Sequence, residues 1–434
     1  MKRFSKYSIG ALIAVAILLN AYPYGATTSH AQTTTTNDGF VSVPFNADNW
    51  VFDLWQPDRP PDGGEATFPS SDKEPIYCQT EKLEECKPAL NSDNPAGTFY
   101  GEKDALYLRG GAAFVKGLED FEDGIIEYDT LLKAPIAAFV GALVRAEDAT
   151  NHERIFMRPH HSNQDDAVQY TPVYNDLQTW QLYYGEGFND YYTYPYEEWL
   201  HVKIVVNGTR AELYIEDMEN PALFMPDLKR GVPEASRLGL YALNPARLGG
   251  FFANYKYKKV DNPPLKNGDV ELPTAPEGSI NSWERSDPFD EAFLDDKMVL
   301  SDADLSPFQG QWTGMDADRV GITALNTLYT PVDGKNSMFV RKTINSESDQ
   351  IKILELGYSD RANVFLNGEL QYIGNNTYRS RNQAFLGTSG YYDKVALPLK
   401  EGENELYMAI SANARFTGGW GLMAKFSDAS GISF

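Results

Sequence analysis

The run Gly357-Tyr358-Ser359-Asp360-Arg361-Ala362-Asn363-Val364-Phe365-Leu366 alternates into Asn367-Gly368, and this constrains the chain more than any other feature. An Asn-Gly pair accepts the positive φ that a tight hairpin turn demands, so it reads as the tip of a β-hairpin. The same signal occurs earlier, where Val202-Lys203-Ile204-Val205-Val206 runs into Asn207-Gly208 and Ala211-Glu212-Leu213-Tyr214-Ile215 follows. In both hairpins the period of two sets one face apart from the other. A further punctuation, Leu399-Lys400-Glu401-Gly402-Glu403-Asn404-Glu405-Leu406, leads into Tyr407-Met408-Ala409-Ile410. Aromatic and β-branched residues dominate, Gly, Asn and Pro recur at short intervals, and no long segment carries a 3.6-residue apolar period. The chain is expected to be all-β, built as sandwiches.

The first residues read as a targeting signal. Lys2, Arg3 and Lys6 precede an apolar stretch from Ile9 to Leu19, and Ser29-His30-Ala31 offers a small-x-small cleavage site. Residues 1–31 are therefore expected to be a secretory signal peptide. The apolar run is short for a membrane span, and no Cys stands at the cleavage region to carry a lipid. Export to the periplasm or the medium is the expectation, with no membrane insertion after cleavage. Loss of the signal removes three positive charges and takes the formal charge from −23 to −26. So acidic a chain is not expected to bind nucleic acid or an anionic membrane. Cys78 and Cys86 are the chain's two cysteines. In an oxidising compartment they are expected to close one local disulfide.

Candidate strands in the first part are Ala105–Leu108, Gly124–Leu131, Phe139–Arg145, Glu153–Met157, Trp180–Tyr184, Leu200–Val206, Glu212–Ile215, Arg237–Ala242 and Gly250–Tyr257. A Pro-, Asn- and Gly-rich segment, 259–282, reads as a linker. Beyond it, Ser337–Ile344, Gln350–Gly357, Ala362–Leu366, Lys394–Leu399, Glu405–Ser411 and Gly421–Phe426 read as strands, with Trp283, Phe289 and Trp312 as anchors. The expected domains are 38–258 and 283–434.

The motifs Phe121-Glu122-Asp123-Gly124-Ile125-Ile126-Glu127-Tyr128-Asp129, Trp199-Leu200-His201-Val202-Lys203-Ile204 and Leu238-Gly239-Leu240-Tyr241 resemble the concanavalin A-like, laminin-G-like sandwich. Within it they resemble the secreted bacterial domain called 3-keto-disaccharide hydrolase-like. The 357–368 run and the 399–410 punctuation resemble the galactose-binding-like jelly roll found beside many glycosidases. The resemblances imply two β-sandwich domains and a function directed at carbohydrate. They are patterns of fold and only weakly imply an activity.

The segment from Arg158 to Tyr184 mixes rings, amides, imidazoles and a guanidinium. Sugar sites need this mixture: an aromatic face covers the C–H face of a pyranose, and planar polar groups hold its hydroxyls. Trp180 and Tyr183 are the expected stacking platforms. Arg158, His160, Gln169 and Asn175 are the expected polar readers, with Tyr170 beside them. His160 and His161 would face opposite ways if they lay on a strand, and His201 fits the alternation of a strand as a structural residue.

Hydrolysis of a glycosidic bond needs two carboxyl groups facing each other. The laminarinase-type Glu-x-Asp-x-x-Glu pattern is broken here, because Glu127-Tyr128-Asp129 is followed by Leu132 at the second Glu position. If the chain is an enzyme, Glu127, Asp166 and Glu186 are the candidate acids or bases. No nucleophile elbow, phosphate loop or dinucleotide fingerprint is present. No cofactor or metal centre is expected. Asp302, Asp304, Asp316 and Asp318 resemble Ca²⁺-type oxygen sets loosely, without the loop spacing or its Gly, which leaves a structural Ca²⁺ as the one ion still open. In the second part, Asn376, Tyr378, Arg379 and Arg381 follow the hairpin and are the ligand candidates of that domain. The expected function is recognition of a polysaccharide or glycoside; the alternative is an enzyme acting on a glycosidic bond.

Overall fold

The computed structural model describes residues 32–53, 76–78, 103–108, 110–132, 137–243, 250–413 and 418–434. The expected signal peptide, Cys86 and the side chain of Cys78 lie outside them, and with them the expected disulfide. The described chain is all-β and is made of antiparallel sheets stacked as sandwiches.

Eight strands carry the first sandwich: β1 Gly124–Leu131, β2 Phe139–Ala146, β3 His152–Met157, β4 Gln164–Tyr174, β5 Trp199–Asn207, β6 Arg210–Ile215, β7 Arg237–Leu243 and β8 Gly250–Lys259. Sheet I runs β8-β1-β5-β6, and sheet II runs β4-β3-β2-β7; short strands extend both edges. Alternation explains the layering. On β1, Ile126 and Tyr128 face inward; on β5, Val202, Ile204 and Val206 do; from sheet II come Val140, Val144, Ile155, Val168 and Leu240. Burying each such side chain contributes about 1.5–3 kcal/mol. Their partners at odd spacing therefore point out of the sandwich, and this decides where polar chemistry can stand.

The second sandwich is built from β9 Ser337–Ser346, β10 Gln350–Ser359, β11 Arg361–Leu366, β12 Glu369–Asn375, β13 Asp393–Leu399, β14 Gly402–Ser411 and β15 Gly421–Phe426. Sheet III contains β9-β14-β11-β12 and sheet IV contains β15-β10-β13. Between them lie Met338, Leu354, Leu356, Val364, Met408 and Ile410, with Trp420 fully buried at the centre. The Trp420 indole N–H donates to the Ile410 carbonyl at 2.9 Å, so its one polar atom is satisfied. Trp283 enters this core, whereas Phe289 and Trp312 pack partly buried in a smaller cluster around Phe339 and Tyr407.

Both hairpins form, with one difference. Leu366 pairs with Glu369, leaving Asn367 (φ 50°) and Gly368 (φ 81°) as the two central residues of the turn. In the earlier hairpin Asn207 pairs with Arg210, so the turn is Gly208-Thr209 and Asn207 is the last strand residue. The inward set Val202, Ile204 and Val206 holds that register, and a one-residue slip would turn it to solvent. Two further expectations are corrected. Gln164–Tyr174 is a strand of eleven residues, concealed in the sequence by Pro172 and by acids at its start. Trp180–Tyr184 is not a strand. It turns on Thr179, whose carbonyl accepts from the Leu182 and Tyr183 N–H groups at 2.9 and 3.0 Å.

That turn is a hub between the sandwiches. The Gln181 Oε1 accepts from Gly418 N at 2.6 Å and from the Ser359 hydroxyl at 3.3 Å, and its Nε2 donates to the Leu386 carbonyl at 3.0 Å. Its backbone N–H donates to the Gly418 carbonyl at 2.8 Å, and its carbonyl accepts from Ser389 N at 2.6 Å. Leu182 and Tyr183 pack against Ile322 and Ala324. Lys229 joins Asp227 at 2.8 Å to Asp318 at 2.9 Å across the same contact. Within 259–282, Ile280 enters the second core, and its N–H donates to the Ala424 carbonyl at 2.9 Å.

Replacing Gln181 with Leu leaves a buried N–H and a carbonyl without partners. We expect a loss of about 2–4 kcal/mol in urea unfolding; a change below about 0.5 kcal/mol would show that the contact does not bear on stability.

Candidate functional site

The side chains of sheet II that point away from the first core form one face, most of which is itself buried. Because Ile155, Met157, Val168 and Leu240 face the core, Phe156, Gln169 and Tyr241 face away. Register places Gln169 beside Phe156, Phe156 beside Gly141, and Gly141 beside Tyr241 in a single row across the sheet. The next row is Thr171, Arg154, Leu143 and Gly239. Gly141 is required: a Cβ there would run into the Ile155 carbonyl and the Phe156 backbone. The Arg154 guanidinium lies 3.9 Å from the centre of the Tyr241 ring.

At the end of β3 the surface rises to a half-buried rim. Pro159–His161 is one turn of 3₁₀ helix, so His160 and His161 do not point to opposite faces as they would on a strand; their rings are 4.4 Å apart. The Arg158 Nη1 makes a close ion pair with Asp166, and His161 Nδ1 stands 2.6 Å from the other carboxylate oxygen. The Phe139 ring packs against His160 at 5.3 Å, Phe156 at 5.9 Å and the Arg158 guanidinium at 5.8 Å.

The electrostatics set the protonation of this rim. Burial by itself raises Asp166, but the hydrogen bond with His161 and the charge of Arg158 outweigh it and hold the carboxyl below its usual range. His160 is pushed down to about 4, first by burial and then by the charges of His161 and Arg158. The Ala138 N–H donates to its Nδ1 at 3.4 Å, which leaves Nε2 as the protonated nitrogen of a neutral ring. Tyr184 is pushed up to about 12, by burial and then by the Asp166 charge, and remains a hydroxyl donor. Two buried donors here, Arg158 Nε and Gln169 Nε2, have no partner among the described residues. A buried donor without a partner is costly unless something else satisfies it.

The remaining sequence candidates stand elsewhere. Tyr170 belongs to the core, where its hydroxyl donates to Glu153 at 2.8 Å and accepts from Lys229 N at 2.7 Å. Asn175 donates to the carbonyls of Asn326 and Thr327 in the second sandwich. Trp180 packs on Gly418, where a Cβ would strike its ring, and Tyr183 is buried against Phe188 with Lys229 Nζ 4.9 Å from its centre. Tyr183 offers no open face, whereas Trp180 is half-buried. Asn376 is buried as a clamp, donating to the Tyr358 carbonyl at 2.9 Å. Arg379 lies over Tyr378 at 4.8 Å, and Arg381 pairs with Asp393. Asp304 caps a helical turn through Ser301, and Asp318 is held by Lys229. No group of three metal-ligating side chains converges among the described residues. His161, Phe139 and Tyr184 were not singled out by sequence. The alternation of β2 marks Phe139 as outward, but nothing in the sequence joins His161 to Asp166.

Glu127 stands on the other sheet. With Asp129 it faces outward from sheet I, and His201 lies between them, Nδ1 2.7 Å from Asp129 and Nε2 3.4 Å from Glu127. Lys103 at 2.7 Å and Asn254 at 2.6 Å complete Asp129; Lys256 at 2.8 Å completes Glu127. Hydrogen bonds to Asp129 and Glu127 push His201 up to about 9. Burial would raise Asp129, but His201, Lys103 and Asn254 hold it at about 2. Glu186 is exposed in the turn before Asn189–Tyr192. Glu127 and Asp166 therefore lie on opposite faces of the sandwich and form no pair.

No family model and no curated protein matches the chain. Solved structures similar to parts of it include the carbohydrate-binding module CBM66 from Bacillus subtilis, at 17% identity over 35% of this chain and 86% of that one, TM-score 0.27. Domain 4 of AbnA, a GH43 extracellular arabinanase from Geobacillus stearothermophilus in complex with arabinotriose, is 13% identical over 44% of this chain and 84% of that one, TM-score 0.29. A family 35 carbohydrate-binding module from an environmental isolate is 15% identical over 27% and 84%, TM-score 0.19. At these scores the likenesses carry no argument about what this chain does.

The His201 network makes stability depend on pH in a stated direction. The folded pKa of about 9 lies above the ordinary 6.5, so this contribution is complete below pH 6.5 and is lost as pH rises through 9. Asp129, at about 2 against 3.8, contributes above pH 3.8 and loses its part as pH falls through 2. The imidazole is more than a third exposed, and solvent screening reduces its share to about 1 kcal/mol. We expect His201→Gln to flatten the fall in stability between pH 6 and pH 10 in urea titrations; an unchanged fall would rule out this origin.

Proposed function

We propose that the chain binds carbohydrate on the outward face of sheet II, at the rim formed by Arg158, His161, Asp166, Phe139 and Tyr184. The observation that carries this reading is the half-buried cluster of Arg158, His161 and Asp166 beside the Phe139 ring, with Arg158 Nε left without a partner among the described residues. Sugar hydroxyls are the complementary chemistry, because each both donates and accepts. The ionised Asp166 adds an acceptor; the Nε2–H of neutral His160 and the Tyr184 hydroxyl add donors. Phe139 supplies an apolar ring for a pyranose or furanose C–H face.

Binding is favoured over hydrolysis by the state of the carboxyls. A glycosidase needs a protonated acid opposite a second carboxylate. Asp166 is ionised and ion-paired, and Glu127 is ionised on the far sheet. Glu153 is pushed up, to about 7, by burial. It is fully buried under Tyr170 and Arg230, where no substrate reaches it. In the same reading the chain is exported to the periplasm or medium, and residues 38–258 and 283–434 are its laminin-G-like and galactose-binding-like domains.

The test is calorimetric titration of the chain with soluble β-glucan, xylan, arabinan, levan and galactomannan, with reducing-sugar release followed in parallel. Arg158→Lys keeps the charge but loses the planar fork, and should weaken binding about 10-fold without lowering the unfolding midpoint by more than a few degrees. Sugar release by the wild-type chain would replace the binding reading with the enzymatic one. Absence of binding to every polysaccharide would remove both.

A further inference from the structure

The rim described above continues onto the second sandwich. Gln181 bonds to the backbone of Leu386 and Ser389 at 3.0 and 2.6 Å. Three residues beyond each side of this anchor stand Tyr184 and Tyr392, one from each sandwich. Tyr184 interacts electrostatically with Arg158 and Asp166 on one side and with Tyr392 on the other. The two phenols thus flank one contact between the sandwiches, on the side that Tyr184 shares with Arg158 and Asp166.

Tyr392 is unusual for a large ring, at 55% exposed yet held in place. One side of the ring lies on Gly390, where any Cβ would come within 2.6 Å of it. Phe385 meets it edge-on with centroids 6.4 Å apart. Arg381 lies 5.3 Å from the Phe385 ring and 6.0 Å from the Tyr392 ring, and is itself fixed by Asp393. Asp393 in turn accepts from the buried Tyr358 hydroxyl at 2.9 Å. An exposed aromatic ring with a rigid backing loses little conformational freedom when something lies on it.

We propose that Tyr392 is a remote subsite of the same glycan site, so that the ligand is a chain of several sugar units running from Arg158 past Tyr184 onto the second sandwich. This rests on the reading of the Arg158 rim as a carbohydrate site. The second sandwich then supplies length selectivity, while the first supplies recognition of the unit held at Arg158. The rigid contact at Gln181 is what keeps the two aromatic surfaces in line.

The test measures affinity for oligosaccharides of two and of six units cut from β-glucan, xylan, arabinan, levan and galactomannan. The wild-type chain should prefer the longer form of its ligand by about 10-fold or more. Tyr392→Ala should remove about 5-fold of that preference and leave the two-unit affinity unchanged, and Tyr392→Phe should restore it. Equal affinity of Tyr392→Ala and wild type for the six-unit form would overturn the subsite while leaving the rim reading intact. An equal loss for both lengths would overturn it too, because Tyr392 would then act on the fold of the rim. Binding of no oligosaccharide by the wild type would overturn the rim reading and the subsite together.

Discussion

Each sheet of this protein has to bury one face, and the two-residue period of a strand then commits every intervening side chain to the other. That constraint places the chemistry. Ile126 and Tyr128 go inward, so Glu127 and Asp129 must go out from sheet I. Ile155 and Met157 go inward, so Phe156 and Arg158 emerge from sheet II. The two outward faces look away from each other across a packed core, and no group on one can assist a group on the other.

The charged groups on the two faces also differ in how far they are satisfied. On sheet I, His201 bridges two carboxylates that Lys103, Lys256 and Asn254 complete. Such a network uses up its own hydrogen-bonding capacity and reads as structure. On sheet II, Arg158 and Asp166 pair with each other, yet a guanidinium N–H and the Gln169 amide are left over beside rings. Unused donors near apolar rings are what a hydroxyl-rich ligand can occupy.

The contact between sandwiches limits which aromatic residues are available. Leu182 and Tyr183 are consumed there and Trp180 is half covered, because the polar groups of Gln181 draw the turn onto Gly418 and the 386–389 segment. The same anchoring sets Tyr184 and Tyr392 outside the contact on neighbouring surfaces. A single turn thus removes one of the obvious stacking candidates, Tyr183, and positions less obvious ones.

The sequence by itself determined the all-β class, most strand positions and the Asn367-Gly368 turn, because alternation and turn chemistry are local and leave their mark on neighbouring residues. It also marked Arg158, His160 and Gln169 as polar groups on one stretch of chain. It could not show the strand Gln164–Tyr174, where Pro172 and the leading acids mask the pattern. Nor could it separate Tyr183, buried by residues more than a hundred positions away, from Trp180 and Tyr184, which stay half open. Whether an aromatic ring faces solvent or a second sandwich depends on contacts between distant segments, and only the tertiary structure decides those. The same holds for protonation: His160 owes its state first to burial and then to His161 and Arg158, Asp166 owes its own to the same two groups, and no spacing in the sequence encodes that gathering.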